Sequence, residues 1–454
     1  MTELILSFDP AAAAAAKAIF PVREKTDDSP KNAPDSLNAL ARANNFTGEA
    51  GALLVNDDGV LMGVGDGSDP FVIAAAAERL PEGDYRLAVA LDARAGELSA
   101  LGWRLGAYKF DRYKKQKKAK ARLIAPQGVD ASEARRIGDI VCDVRDLINM
   151  PAGDMTPAAI ENAVRASATG FDAAVTSVVG DDLLAANFPL IHAVGRAAAA
   201  PPRIIDLKWG PEDAPKITIV GKGVSFDSGG LDIKNAENMR LMKKDMGGAA
   251  NALGLARLIM GAGLKLRLRL LVPAVENAIS GSAYRPGDIL KSRKGISVEI
   301  GNTDAEGRLI LADAMTLAGE EQPQILITLA TLTGAARIAL GPDLPAFFTD
   351  DEHLASEISA AALATEDPVW RLPLWAGYEH MLNSPIADIN NAANGTFAGA
   401  ITAALFLKRF APAGSLWAHF DIFGWRAKAM PGRPIGGEAQ TIRALFAALK
   451  ARYQ

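Results

Sequence analysis

The stretch Ile217-Thr218-Ile219-Val220-Gly221-Lys222-Gly223-Val224-Ser225-Phe226-Asp227-Ser228-Gly229-Gly230 opens as a strand and then breaks into glycines. Its first four residues are β-branched and almost wholly apolar, the composition of a strand buried on both faces. A second strand-like run, 296–300, is followed by Asn302-Thr303-Asp304-Ala305-Glu306-Gly307-Arg308. Further strand-like runs lie at 266–272, 325–329 and 416–422. Between them, apolar residues recur at helical spacing over 239–260, 309–318, 354–364, 398–410 and 439–451. This alternation predicts an α/β domain in which helices sandwich a mostly parallel sheet. Sites in such sheets gather at the carboxyl ends of strands, where both glycine-bearing segments fall.

Outward from this core, the expected organisation has three parts. Residues 1–130 form a smaller N-terminal α/β domain, 131–150 a linking helix, and 151–454 the catalytic domain. In the first part, 51–55 and 87–91 read as strands. Residues 9–20 read as an alanine-rich helix begun by Asp9 and Pro10. The basic run Lys114, Lys115, Lys117, Lys118, Lys120 and Arg122 reads as a solvated face. The catalytic domain opens with Thr156-Pro157, a cap followed by proline at the first helical position.

Composition narrows the function classes. The chain has 454 residues, a formal net charge of -4 and 22% charged residues, which gives no global attraction to nucleic acid or acidic membranes. Its single cysteine, Cys142, excludes an internal disulfide framework and suits a reducing compartment. The segment MTELILSFDP lacks the basic and apolar regions of a signal peptide, and no run reaches membrane-spanning length. A cytoplasmic protein is expected. His192, His353, His380 and His419 are too dispersed for a histidine-rich zinc site, and His192 and His419 read as core residues.

The chemistry lies in the carboxylates. Asp227, Asp245, Asp304 and Glu306, if brought together, would repel one another unless cations compensated them. Two divalent metal ions would balance their charge. Lys222 could join as a neutral amine, because nearby dications depress a lysine pKa. Lys234 and Arg308 would stay cationic, to polarise substrate or hold an anion. An extended chain would present Asp304 and Glu306 on one side. Taken alone, each of these residues reads as a cap, a salt bridge or a solvated side chain. The ensemble carries the reading. The glycine-rich loop does not fit the phosphate-loop pattern.

GKGVSFDSGGLDIK, MKKDMGGAA and NTDAEGRLILADA together resemble the signature segments of the leucyl aminopeptidase (cytosol aminopeptidase) family. Asn302 to Leu309 match that signature without change. The resemblance covers most of the chain after about residue 145, including LINMPAGDMTP, FPLIHAVGRA, ENAISGSAYRPGDIL and TLATLTGA. It is weak over the first 130 residues.

The resemblance implies a di-metal exopeptidase that removes one residue from the free N-terminus of a peptide. Lys222, Asp227, Asp245, Asp304 and Glu306 would be the metal ligands, with Asp227 and Glu306 bridging. Lys234 and Arg308 would be the catalytic side chains, Arg308 holding a bicarbonate-like anion that acts as base. Met242, Asn302, Ala305, Thr331, Leu332 and Gly334 would line the pocket for the first side chain, with apolar residues such as leucine preferred. The expected metals are zinc or manganese first, then magnesium or cobalt. In the two-metal template a bridging water attacks the scissile carbonyl, and an oxyanion donor such as Lys234 is worth about 3–4 kcal/mol. A homohexamer is implied; no membrane partner is expected, and the acidic charge balance weighs against a DNA partner.

The chain departs from the family at Asp232 and Asn235, at Ala278, and in MPGRPIGGEAQTIRAL near the C-terminus. Asp232 could alter the hydrogen bonding of Lys234. Two alternatives compete: a two-metal phosphohydrolase, and an added DNA-binding or scaffold role for the basic run.

Overall fold

The computed structural model describes residues 3–24, 32–393 and 395–454. The chain divides into two compact units, Met1–Asp143 with Arg426–Ile435, and Val144–Trp425 with Gly436–Gln454. Helix Ala131–Asn149 runs through the boundary between Asp143 and Val144.

The smaller unit holds a six-stranded sheet. Strands Ile5–Leu6, Ala121–Ile124, Gly83–Leu87, Lys17–Arg23 and Gly59–Gly65 are parallel in that order, and Leu53–Asn56 closes one edge antiparallel. Trp103 is fully buried in its core and donates its indole N–H to Ala121 O at 3.2 Å. The helix expected over 9–20 is shorter, Pro10–Ala15, and Lys17–Arg23 is a strand. Asp9 caps the helix start as expected, accepting from Ala12 N at 2.7 Å. The sequence Ala-Ile-Phe-Pro-Val then gains two strand partners, and that pairing outweighs the helical preference of the preceding alanines. The strand expected at 87–91 lies four residues earlier, Gly83–Leu87, with that expected at 51–55 displaced to Leu53–Asn56. The basic run is partly neutralised. Lys118 pairs with Asp111 at 3.3 Å, Lys120 with Glu82 at 2.9 Å and Arg122 with Asp84 at 2.6 Å.

The larger unit is built on a nine-stranded sheet. Its centre is parallel: Leu416–Asp421, Ile325–Ala330, Lys216–Gly221 and Arg267–Asn277, with Gly223–Asp227 also pairing Arg267–Asn277. One edge turns antiparallel through Arg203–Trp209 and Ala174–Val179, the other through Ala346–Phe348. The central strands are apolar at nearly every position, as burial on both faces requires. Helix Gly247–Ala262 packs with Ile442–Tyr453, and Glu306–Gly319 packs with Pro189–Gly195 and Gly399–Lys408, so helices flank the sheet.

Two local expectations need correction. The helix expected over 239–260 is broken into Ala236–Met239, a 3-10 turn Met242–Met246, and Gly247–Ala262. Gly248 explains the break. A Cβ there would come within 2.3 Å of Leu329 O, so only glycine lets the helix begin against the sheet. Asp304 and Glu306 do not share an extended segment either. Asp304 lies in a turn, and Glu306 is the first residue of helix Glu306–Gly319.

Candidate metal centre and substrate cavity

The ends of three central strands converge on one cluster. Lys222 follows Lys216–Gly221, donating its backbone N–H to Leu329 O at 2.9 Å and accepting from Ala249 N at 2.8 Å. The residue is thereby pinned between a strand and a helix start, and its side chain points into the site. Its Nζ lies 2.8 Å from Asp245 Oδ2 and 2.8 Å from Glu306 Oε1, and donates to Thr331 O at 3.1 Å. Asp227 ends the strand Gly223–Asp227 and accepts from Gly229 N and Asn277 Nδ2, each at 2.9 Å. Lys234 Nζ pairs with Asp227 Oδ2 at 2.8 Å and also with Asp304. Carboxylate oxygens of Asp227, Asp245 and Glu306 lie within 4.8 Å of one another, and all three residues are buried.

This arrangement strains the protonation equilibria. Burial, then the charge of Asp227, pushes Glu306 up to about 8. The same two causes push Asp304 up to about 6. Burial opposes the charge on Lys222, but Asp245, Glu306 and Asp227 overcome it and hold the ammonium above its ordinary value. Lys234 is held high in the same way, chiefly by Asp227. Burial brings Arg308 down to about 10, so its guanidinium stays charged at neutral pH. Among the described residues, Asp245 Oδ2 and Glu306 Oε1 have only the Lys222 ammonium as a partner, and Asp304 Oδ1 only that of Lys234. Buried carboxylates that outnumber the cations beside them are costly. An all-oxygen cluster with one amine suits hard or borderline divalent cations, so the residues fit such ions.

The cluster forms the floor of a cavity of about 870 Å³. Every residue expected at the site lines that cavity except Glu306, which sits behind Lys222 with 1% of its surface exposed. Met242, Asn302, Ala305, Thr331, Leu332 and Gly334 therefore share one cavity with Lys222, Asp227, Lys234, Asp245, Asp304 and Arg308. Asp232 does not pair with Lys234. Its Oδ2 accepts from Thr303 N at 2.7 Å.

Several residues that hold the site carried no chemical signal in the sequence. Asn391 accepts from Gly301 N at 2.8 Å and Asn302 N at 3.2 Å, donates to Asn302 O at 2.8 Å, and its carbonyl receives Arg308. Asn277 Nδ2 bridges Asp227 and Thr303 O, and Tyr284 donates to Thr303 O at 2.7 Å. Asn277 and Tyr284 fall inside the segment ENAISGSAYRPGDIL, the one trace they leave in the sequence.

Residues 143–446 match the cytosol aminopeptidase family, catalytic domain, and 28–126 match the M17 aminopeptidase N-terminal domain. A probable cytosol aminopeptidase of Roseiflexus castenholzii is 42% identical over 398 residues, 84% of this chain and 79% of that protein. One from Stenotrophomonas maltophilia is 43% identical over 299 residues, 64% of this chain and 60% of that one. The crystal structure of a cytosol aminopeptidase from Coxiella burnetii superposes with a TM-score of 0.92 at 44% identity, covering 100% of both chains. The bottromycin maturation enzyme BotP in complex with Mn gives 0.87 at 31% identity, covering 96% of this chain and 99% of that one. No helix among the described residues is long and apolar enough to cross a membrane. With this site on this fold and matches over both units, the chain belongs to the cytosol aminopeptidase family and is an aminopeptidase.

Proposed function

We propose that the protein uses two divalent cations, held by Lys222, Asp227, Asp245, Asp304 and Glu306, to remove the first residue of a peptide. The observation that carries this reading is the convergence of buried carboxylate oxygens within 4.8 Å, with the Lys222 and Lys234 ammoniums as their close cations. Two such ions would supply an activated water and polarise the scissile carbonyl. They would also reverse the electrostatic field at Lys222 and favour its neutral amine. Zinc or manganese is the first choice, magnesium or cobalt the next. The manganese named for the BotP complex supports that choice.

Lys234 lines the cavity and contacts Asp227, which supports a role in stabilising negative charge developing on the carbonyl oxygen. Arg308 Nε has no hydrogen-bond partner among the described residues, which supports a bicarbonate-like anion held there as the proton acceptor. Met242, Ala305 and Leu332 favour apolar first residues such as leucine, with Asn302, Thr331 and Gly334 completing the pocket. Exposed Trp370, Trp375 and Ile338 favour self-association, in keeping with a homohexamer. A cytoplasmic location follows the name of the relatives. In the basic run Lys118, Lys120 and Arg122 pair with carboxylates, which weighs against a DNA-binding role.

The test is hydrolysis of a panel of aminoacyl anilides before and after chelation, with each metal restored in turn. Leucine release that is lost with chelator and regained with metal supports the reading. Activity indifferent to chelation contradicts it.

A further inference from the structure

The cavity wall beside Asp245 carries charge that this chemistry does not use. Lys244 lines the cavity although only 5% of its surface is exposed. Among the described residues its Nζ donates no hydrogen bond, and its one carboxylate neighbour is Asp245 Oδ1 at 3.8 Å. That oxygen already accepts from Thr331 Oγ1 at 2.8 Å, and the other faces Lys222. The Lys244 ammonium instead lies 5.0 Å from the centroid of the Phe423 ring. The Arg337 guanidinium lies 4.9 Å from the same centroid. Arg337 also lines the cavity, and among the described residues it has no ion pair and no side-chain hydrogen bond. Two cations thus flank one aromatic ring, and neither has a counter-charge of its own.

A buried ammonium without a close carboxylate is costly, and a ring face offsets only part of that cost. A ligand that supplies the missing charge would offset that cost. The position of the ammonium limits which ligand. Lys244 Nζ is 3.8 Å from a carboxylate of the metal cluster, so a group anchored there needs only one or two methylenes to present an anion. The side chain of the first residue has that reach. The distant carboxyl end of a peptide does not.

We propose that Lys244, with Arg337 beyond it, recognises the side-chain carboxylate of an acidic first residue, so that the pocket takes aspartate and glutamate besides apolar residues. This rests on the aminopeptidase reading above. The Phe423 ring and Met242 would pack on the methylenes of either kind of side chain, and the cations would read only the acid.

The experiment compares kcat/KM for glutamyl, aspartyl and leucyl anilides, in metal-loaded wild type, Lys244→Met and Arg337→Gln. Anilides have no second carboxylate, so any acid preference reports the first side chain alone. Wild type is expected to cleave glutamyl anilide within about tenfold of leucyl anilide. Lys244→Met should lower the glutamyl-to-leucyl ratio by roughly 30-fold, the weight of a charged hydrogen bond. Arg337 is exposed, so its variant keeps the test decisive should Lys244→Met fail to fold. It should lower the ratio several-fold. Leucyl cleavage without glutamyl cleavage, or a ratio unmoved in both variants, overturns the proposal. Failure of the loaded wild type on every anilide overturns the aminopeptidase reading, and this inference with it.

Discussion

Asp232 and Thr303 join the two loops that carry the proposed ligands. Asp232 Oδ2 accepts the Thr303 backbone N–H at 2.7 Å, and Asp232 N donates to Thr303 Oγ1 at 2.8 Å. The same hydroxyl donates to Gly229 O at 2.7 Å. Lys234 and Asp304 are thus set by one reciprocal pair. Asp232→Ala should lower kcat about tenfold with little change in metal content, because it loosens orientation and leaves every ligand in place. Asp232→Asn keeps an acceptor and should lose less. Steady-state kinetics with metal analysis check both, and an unchanged kcat in Asp232→Ala contradicts the positioning role.

Thr331 orients Asp245 twice, through the carboxylate at 2.8 Å and the backbone carbonyl at 3.0 Å. Residues of this kind behind a ligand typically contribute 10- to 100-fold in metal affinity. Thr331→Val is expected to weaken metal binding by about that factor, read as a lower chelator concentration at half-inactivation. An unshifted chelator curve would show that Asp245 needs no such support.

Two glycines should separate stability from activity. A Cβ on Gly248 would strike backbone, Leu329 O at 2.3 Å and Lys222 N at 2.9 Å. Gly248→Ala should therefore destabilise the fold by at least about 1–3 kcal/mol, the range of overpacking. The atoms nearest a Cβ on Gly307 all belong to the outer part of the Lys222 side chain, Cε at 2.6 Å and Cδ and Nζ at 2.8 Å. That chain can move, so Gly307→Ala should fold normally yet lose roughly 100-fold in kcat/KM as Lys222 leaves its place. Denaturant melts and kinetics on both variants decide this. Equal losses of stability would refute the contrast.

The parts of the molecule that were legible in the sequence are those where local signals and tertiary demands agree. The buried strands Lys216–Gly221, Ile325–Ala330 and Leu416–Asp421 are apolar at most positions, and each sits within a residue of its expected bounds. The glycine loops after the first of these and after Ser297–Glu299 pointed to the cluster through residue type alone. Elements went astray where tertiary contacts overrode local preference. Lys17–Arg23 left an alanine helix to pair with two strands, and the Met242–Met246 turn formed because Gly248 had to meet Leu329. Asn277, Tyr284 and Asn391 act through hydrogen bonds to residues up to 90 positions away, which no periodicity encodes.

His419 is fully buried, stacked beside Phe348 and Trp417, with Nδ1 2.9 Å from Thr328 Oγ1. Burial drives its pKa down to about 3, so the folded protein holds it neutral while the unfolded chain protonates near 6.5. This stabilisation is complete above about pH 6.5 and is lost as pH falls towards 3, at about 1.4 kcal/mol per unit. His419→Phe should flatten the pH dependence of unfolding free energy by that amount between pH 6 and 4 (roughly, from the linkage relation). Identical slopes in the two proteins would contradict the assignment.

The claim on which the site depends is that the buried carboxylates and Lys222 hold a pair of divalent ions. Anomalous diffraction from crystals soaked in zinc or manganese tests it most directly. Two peaks within about 4 Å of each other, both bounded by Asp227, Asp245, Asp304 and Glu306, are the expected result, and both should vanish in the Asp304→Ala, Glu306→Ala double variant. A single peak, peaks elsewhere, or a pair that survives in that variant would contradict the account.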